Sequence, residues 1–150
     1  MSLVHGTVFP NFSFLFGTRT IRVWHPRGPE KMEVWSWCLV DRDMPPEVKE
    51  FVRLGYLRRF SPGGTWEQDD GENFNQCTAS SRGWVARRYP LNYQMGLGHE
   101  GLSDQWPGAT TGLVSEINQR AFYRRWREMV MAESWGELTA GGEGDGRHGR

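Results

Sequence analysis

Cysteine, net charge and long apolar runs are all scarce in this chain, and each scarcity closes off a class of protein. Cys38 and Cys77 are the only cysteines among 150 residues and lie in no CxxC or CxH spacing. Neither a disulfide framework nor a structural zinc site is expected; reduced, buried thiols in a cytoplasmic protein are. Lysine plus arginine, 18, equals aspartate plus glutamate, 18. With no basic field to hold a phosphate backbone, nucleic acid is a poor partner. No apolar run approaches the length that spans a bilayer, so no membrane association is expected. The start, Met1-Ser2-Leu3-Val4, lacks a charged region followed by an apolar stretch and does not read as a secretory leader.

What is abundant is aromatic: 8 Trp, 8 Phe and 4 Tyr. Such rings bury large areas and serve equally for a core or an arene-lined pocket. Residues 7–16, with Phe12, Phe14 and Phe16 alternating, read as a first strand, and residues 20–25 as a second. After the turn Pro26-Arg27-Gly28-Pro29-Glu30, residues 31–41 are apolar on both faces, as in a strand covered on two sides. The short connections predict an antiparallel meander. Strand character by Thr7 with no lead-in suggests a truncated product, an artificial boundary or a broken gene.

Pro45-Pro46-Glu47 then starts a helix, with Val48, Phe51, Val52 and Tyr56/Leu57 at helical spacing, ending by Phe60 ahead of Pro62 and Gly63-Gly64. Residues 65–77 read as a short polar connection, residues 84–89 as a possible strand and residues 91–107 as loop. From Ser115 a long helix carries Ile117, Ala121, Phe122, Trp126, Met129 and Val130 on one stripe, expected to pack on a sheet. The class is α+β: an antiparallel sheet covered by helices, spanning residues 1–138, followed by a disordered Gly-rich tail at 139–150.

The segment that carries chemistry is Phe60-Ser61-Pro62-Gly63-Gly64-Thr65-Trp66-Glu67-Gln68-Asp69-Asp70-Gly71-Glu72-Asn73. It is a ring, a flexible Gly pair, a second ring and then adjacent carboxylates. On spacing alone, Asp70-Gly71 also reads as a solvated hairpin turn. The calcium-loop template, which needs alternating ligands, is not met. Adjacent carboxylates do not make a glycosidase pair by proximity in sequence alone.

This segment resembles the C-terminal catalytic domain of the biphenyl/naphthalene group of Rieske-type aromatic ring-hydroxylating dioxygenases. Trp24-His25-Pro26-Arg27-Gly28-Pro29, Asn92-Tyr93-Gln94-Met95-Gly96-Leu97-Gly98 and the stretch from Glu116 to Trp126 resemble further parts of it, so the likeness runs from about His5 to Leu138. It implies an incomplete, helix-grip-like fold and a mononuclear Fe(II) held by two His and one carboxylate, with the carboxylate on Asp70. It also implies an apolar wall made by Phe60 and Trp66, with His5, Leu15, Thr18 and Thr20 as further wall residues. Asp69 is expected to be an outer, solvated acid, and His25 to order its strand turn; His99 and His148 carry no signal.

The likeness implies further that electrons come from a reduced nicotinamide through a reductase and often a ferredoxin, that dioxygen is added to an arene as a cis-dihydrodiol, and that large subunits form trimers, alone or with small subunits. The family's closely spaced His pair and its Cys-x-His…Cys-x-x-His motif for a 2Fe-2S cluster are absent here. The isolated chain is therefore expected to be inactive and poor in metal. The competing readings are a non-catalytic hydrophobic-ligand module on the same scaffold and a subunit-interaction piece with an exposed aromatic patch. The catalytic reading requires Asp70 to face a cavity bounded by Phe60 and Trp66.

Overall fold

The computed structural model describes residues 5–105 and 108–138. The Gly-rich tail, expected to be disordered, lies outside the described residues. The chain divides into two units, one up to Pro90 and one from Leu91 onward.

The first unit opens with a four-stranded antiparallel meander: β1 (His5–Val8), β2 (Phe12–Leu15), β3 (Thr20–Pro26) and β4 (Met32–Cys38), paired in that order. The run read as one first strand is in fact a hairpin. Residues 9–11 form its turn, so Phe12 pairs back on Val8 and His5 on Leu15. A second short turn, the 3-10 helix Phe16–Thr18, ends at Arg19, which is left-handed at φ 53°.

Side chains alternate across a strand, so the register assigns every residue to a face. His5, Thr7, Ser13, Leu15, Thr20, Arg22, Trp24, Val34, Ser36 and Cys38 share one face. Phe12, Phe14, Ile21, Val23, Trp35 and Trp37 share the other. The expectation that both faces of the fourth strand are covered fails. Val34, Ser36 and Cys38 are half-buried, whereas Trp35 and Trp37 remain 49% and 43% exposed.

The helix α1 (Pro46–Phe60) begins where Pro45-Pro46-Glu47 predicts. Pro in its first turn gives up no intrahelical hydrogen bond, Glu47 meets the positive end of the dipole, and Arg58 and Arg59 meet the negative end. Residues 65–77, read as a polar connection, are instead most of a second helix, α2 (Thr65–Ser81). Asp70-Gly71 is therefore helix interior and not a hairpin turn. Residues 84–89 are a turn leading into a 3-10 helix at Ala86–Arg88 and not a strand.

In the second unit, β5 (Gly101–Leu102) pairs with β6 (Ala109–Thr110), and α3 (Ile117–Met131) follows. Ser115 supports the start of α3, accepting the Ile117 N–H at 3.4 Å. Arg120 of α3 clasps the preceding loop. Its guanidinium donates to the Tyr93 carbonyl at 2.8 Å and the Met95 carbonyl at 3.0 Å, and pairs with Glu100. The expected burial of the α3 aromatic stripe is not met: Trp126 is 52% and Val130 62% exposed, and no residue of the helix is buried. Among the described residues of its own unit, the sheet available to α3 consists of two-residue strands.

Candidate functional site

Apart from Gly64, Phe60 and Thr20 are the buried residues among those described, 5% and 2% exposed, and both belong to the expected pocket wall. Phe60 is the last residue of α1. Its ring meets Trp66 edge-on, with centroids 5.4 Å apart, and leans on Tyr56 at 6.0 Å. Tyr56 is tied to the sheet by a 2.6 Å hydrogen bond with Ser36.

The chain can fold Trp66 back on Phe60 because Gly64 sits between them. A Cβ there would lie 2.5 Å from the carbonyl carbon and oxygen of Arg59, closer than any side chain permits. The Gly64 N–H donates to the Ser61 carbonyl at 2.7 Å and closes the turn.

Four other wall residues come together on the sheet. His5 pairs with Leu15, Leu15 with Thr20 and Thr20 with Cys38, one row across all four strands. Thr18 joins this row through its hydroxyl, 3.0 Å from that of Thr20 and 3.3 Å from the Leu15 carbonyl it donates to. His5 is exposed at the sheet edge. Partial burial raises the Cys38 thiol above its usual range, with Arg19 acting against it.

Arg22 lies two residues along β3 from Thr20, on the same face, and connects this row to the helices. Its guanidinium stands 5.0 Å over the Phe60 ring and 5.8 Å from that of Trp24, and donates to Glu67 of α2 at 2.6 Å. The Arg22 and Glu67 side chains are only 12% and 23% exposed, so this is a largely desolvated pair. Trp24 adds a second tie, meeting Phe74 edge-on at 6.2 Å while its indole N–H donates to Ser13 at 2.8 Å.

Arg22, Glu67, Tyr56 and Ser36 are not among the site residues expected from the sequence. The one signal for them was a charged residue, Arg22, between Thr20 and Trp24 on the inward face of an alternating strand.

Asp70 lies one helical turn beyond Trp66 on α2, so the two project from the same side of the helix. Its carboxylate is exposed and makes no ion pair or hydrogen bond among the described residues, and Asp69 is exposed too. A cleft of about 390 Å³ does lie along α2, but its walls include Trp24, Met32, Val34, Glu67, Gly71 and Phe74, with neither Asp70 nor Trp66 among them. That face is about a quarter-turn round the helix from the Trp66–Asp70 side.

The structure thus joins Phe60 to Trp66, and His5, Leu15, Thr18 and Thr20 to each other, but the described residues close no cavity over the exposed Asp70, so the requirement that Asp70 face a cavity bounded by Phe60 and Trp66 is not met by this chain's described residues alone. Nor do the described residues fit a metal by themselves: no group of three His, Cys, Asp or Glu side chains is placed to hold one. Asp70 is a single carboxylate donor, and neither an iron triad nor an iron–sulfur cluster is built from this set. No described helix is long and apolar enough to cross a membrane. His25, expected to order its turn, packs its ring 4.9 Å from Trp35 and faces Glu33 across the hairpin.

Comparison with known proteins gives a consistent result. The family described as ring hydroxylating alpha subunit (catalytic domain) matches residues 2–132. The chain is 42% identical over 141 residues to the chlorobenzene dioxygenase subunit alpha of Cupriavidus sp., covering 93% of this chain and 31% of that protein. It is 45% identical over 137 residues to the biphenyl 2,3-dioxygenase subunit alpha of Rhodococcus jostii, covering 91% and 30%. Among solved structures, naphthalene 1,2-dioxygenase with indole bound in the active site matches with a TM-score of 0.79 at 32% identity, over 87% of this chain and 30% of that one. The chain therefore spans about 30% of the length of the curated relatives it matches.

Proposed function

Because the chain belongs to the catalytic domain of the ring-hydroxylating alpha subunits, we propose that it is part of a non-haem iron oxygenase domain that adds dioxygen to an aromatic ring to give a cis-dihydrodiol. On this reading residues 1–138 are one portion of that domain. The observation that carries it is the spacing of three side chains on a built turn: Phe60 buried, Trp66 edge-on to it at 5.4 Å, and Asp70 one turn further along the same side of α2. An apolar ring pair beside a carboxylate suits an arene held next to a metal. The row of His5, Leu15, Thr18 and Thr20 supplies further wall on the sheet.

In this proposal Asp70 is the one iron ligand the chain contributes. The two imidazoles, the rest of the cavity and the 2Fe-2S cluster belong to parts of the whole oxygenase outside the stretch shared with this chain. The role of this chain's own residues is binding and orientation: Phe60 and Trp66 set the plane in which an arene lies, and Arg22 with Glu67 fixes α2 against the sheet. The whole oxygenase would work in the cytoplasm as a trimer of large subunits, with or without small ones, drawing electrons from NADH through a reductase and a ferredoxin.

The deciding experiment places these residues in a full-length oxygenase. Asp70→Ala is expected to abolish iron retention, read by metal analysis, together with turnover; a variant that keeps its iron rejects the ligand assignment. Phe60→Ala and Trp66→Ala are expected to change regioselectivity with iron retained, and unchanged product ratios in both remove them from the pocket. The isolated chain is expected to purify without stoichiometric iron.

A further inference from the structure

Arg120, Tyr123, Arg124 and Arg127 stand at i, i+3, i+4 and i+7 on α3 and so share one side of it. With Leu91 and Tyr93 they line an open cleft of about 580 Å³ within the second unit. The two tyrosines lie ring against ring, centroids 5.3 Å apart and tilted by 30°, with their hydroxyls 3.4 Å apart.

The three arginines are not equivalent. Arg120 is committed to the fold: its side chain is 15% exposed, paired with Glu100, and donates to two loop carbonyls. Arg124 and Arg127 are exposed and form no ion pair or hydrogen bond among the described residues. No acidic residue lines the cleft. With Arg120 neutralised by Glu100, the walls keep two uncompensated guanidiniums beside an aromatic surface.

We infer that this cleft receives a carboxylate-bearing polypeptide segment, an Asp- or Glu-containing extended stretch with an apolar side chain that lies on the tyrosine pair. Each guanidinium offers a planar fork that matches a carboxylate through two parallel hydrogen bonds. Side chains three apart on a helix are about 5–6 Å apart at Cβ. Acids two apart on an extended strand recur on one side about every 6.6 Å, so one segment engages both arginines at once. A small carboxylate would be drawn to the same charges but not enclosed, because the cleft is open along its length.

The test is a fluorescence anisotropy titration of the whole 150-residue chain with a labelled peptide that alternates Glu with Ala and carries one Phe. Saturable binding is expected, weakening as salt is raised. R124A/R127A is expected to weaken it by roughly tenfold or more and to flatten its salt dependence, since both charged forks are removed. R124K/R127K, which keeps the charge and loses the fork, should fall between. Far-UV circular dichroism of each variant separates lost binding from lost helix. The inference is overturned if no saturable binding occurs, if a matched Lys peptide binds as well, if R124A/R127A binds like the parent, or if free benzoate competes as effectively as the peptide.

Discussion

Arg22 is the side chain through which sheet, helix and aromatic wall meet. It is mostly withdrawn from water, so its partner Glu67 compensates a charge that solvent no longer screens well. Removing one member leaves the other stranded, whereas replacing both with apolar groups does not. Glu67→Gln is expected to lower the stability of the first unit by about 2 kcal/mol, read from the urea midpoint, with R22M/E67L recovering most of the loss. A single variant indistinguishable from the parent would show the pair to be solvated. The pairing itself was not legible in the sequence, because 45 positions separate the two residues and only the register of β3 brings them together. Phe60 and Trp66, by contrast, were legible as a pair because only the glycine turn stands between them. A second charged residue carries a pH dependence. The Glu100 carboxyl is held below its ordinary value of 4.5 by its own backbone N–H, then by the Arg120 guanidinium and the Gly98 N–H, against the opposing effect of burial. A depressed carboxyl stabilises the folded form above its unfolded value and loses that contribution as pH falls through the folded one. The clasp of the loop on α3 is therefore expected to persist at pH 4.5 and to release at lower pH, with the Tyr93 ring resonances as the probe. Glu100→Gln should remove that acid transition, and a transition surviving in the variant would assign it to another group.

Two glycines a few residues apart predict opposite outcomes at the scale of the helices. At Gly64 an added methyl meets the Arg59 backbone at 2.5 Å, so the turn between α1 and α2 must open to admit it. Gly64→Ala is expected to destabilise the first unit by about 1–3 kcal/mol and to weaken the Phe60–Trp66 contact, visible in near-UV circular dichroism. At Gly71, inside α2, nothing lies within 4 Å of the added atom. Gly71→Ala should stabilise the helix by about 0.5–1 kcal/mol, with a higher thermal midpoint and more helical signal. The reverse order of the two variants would place Asp70-Gly71 in a turn after all. The same contrast explains why α1 was legible in the sequence and α2 was not. The first announces itself with prolines, an opening acid and apolar residues at helical spacing. The second is polar along most of its length, and what holds it is tertiary: Glu67 on Arg22, Phe74 on Trp24. A helix stabilised mainly by what it leans on leaves little periodicity to read. The split of the first run into β1 and β2 was hidden for a related reason. Phe and Val continue through the region, and Phe9-Pro10-Asn11 marks the turn only weakly.

At the scale of the whole molecule the abundance of rings does not translate into a core. Among the described residues only two side chains are buried and none completely, while Trp35, Trp37, Trp66 and Trp126 stay between 43% and 52% exposed. The α+β class and the meander were legible because they follow from local patterning. Which faces are covered was not, because alternation says that a face is apolar and not what lies against it. The outer sheet face of Phe12, Phe14, Ile21, Val23, Trp35 and Trp37 is a contiguous apolar surface of the kind that drives association when nothing covers it. The isolated chain is therefore expected to self-associate and to bind a hydrophobic dye at micromolar concentration. Replacing Trp35 and Trp37 with Lys puts charge on positions that already face water and removes little packing, since each ring is more than two-fifths exposed. The double variant should sediment as a smaller species and bind less dye, with its unfolding midpoint held within the small range typical of surface changes. If it unfolds instead, the two indoles are structural, and the contacts of Trp35 with His25 and with Trp37 account for more of the sheet's stability than their exposure indicates.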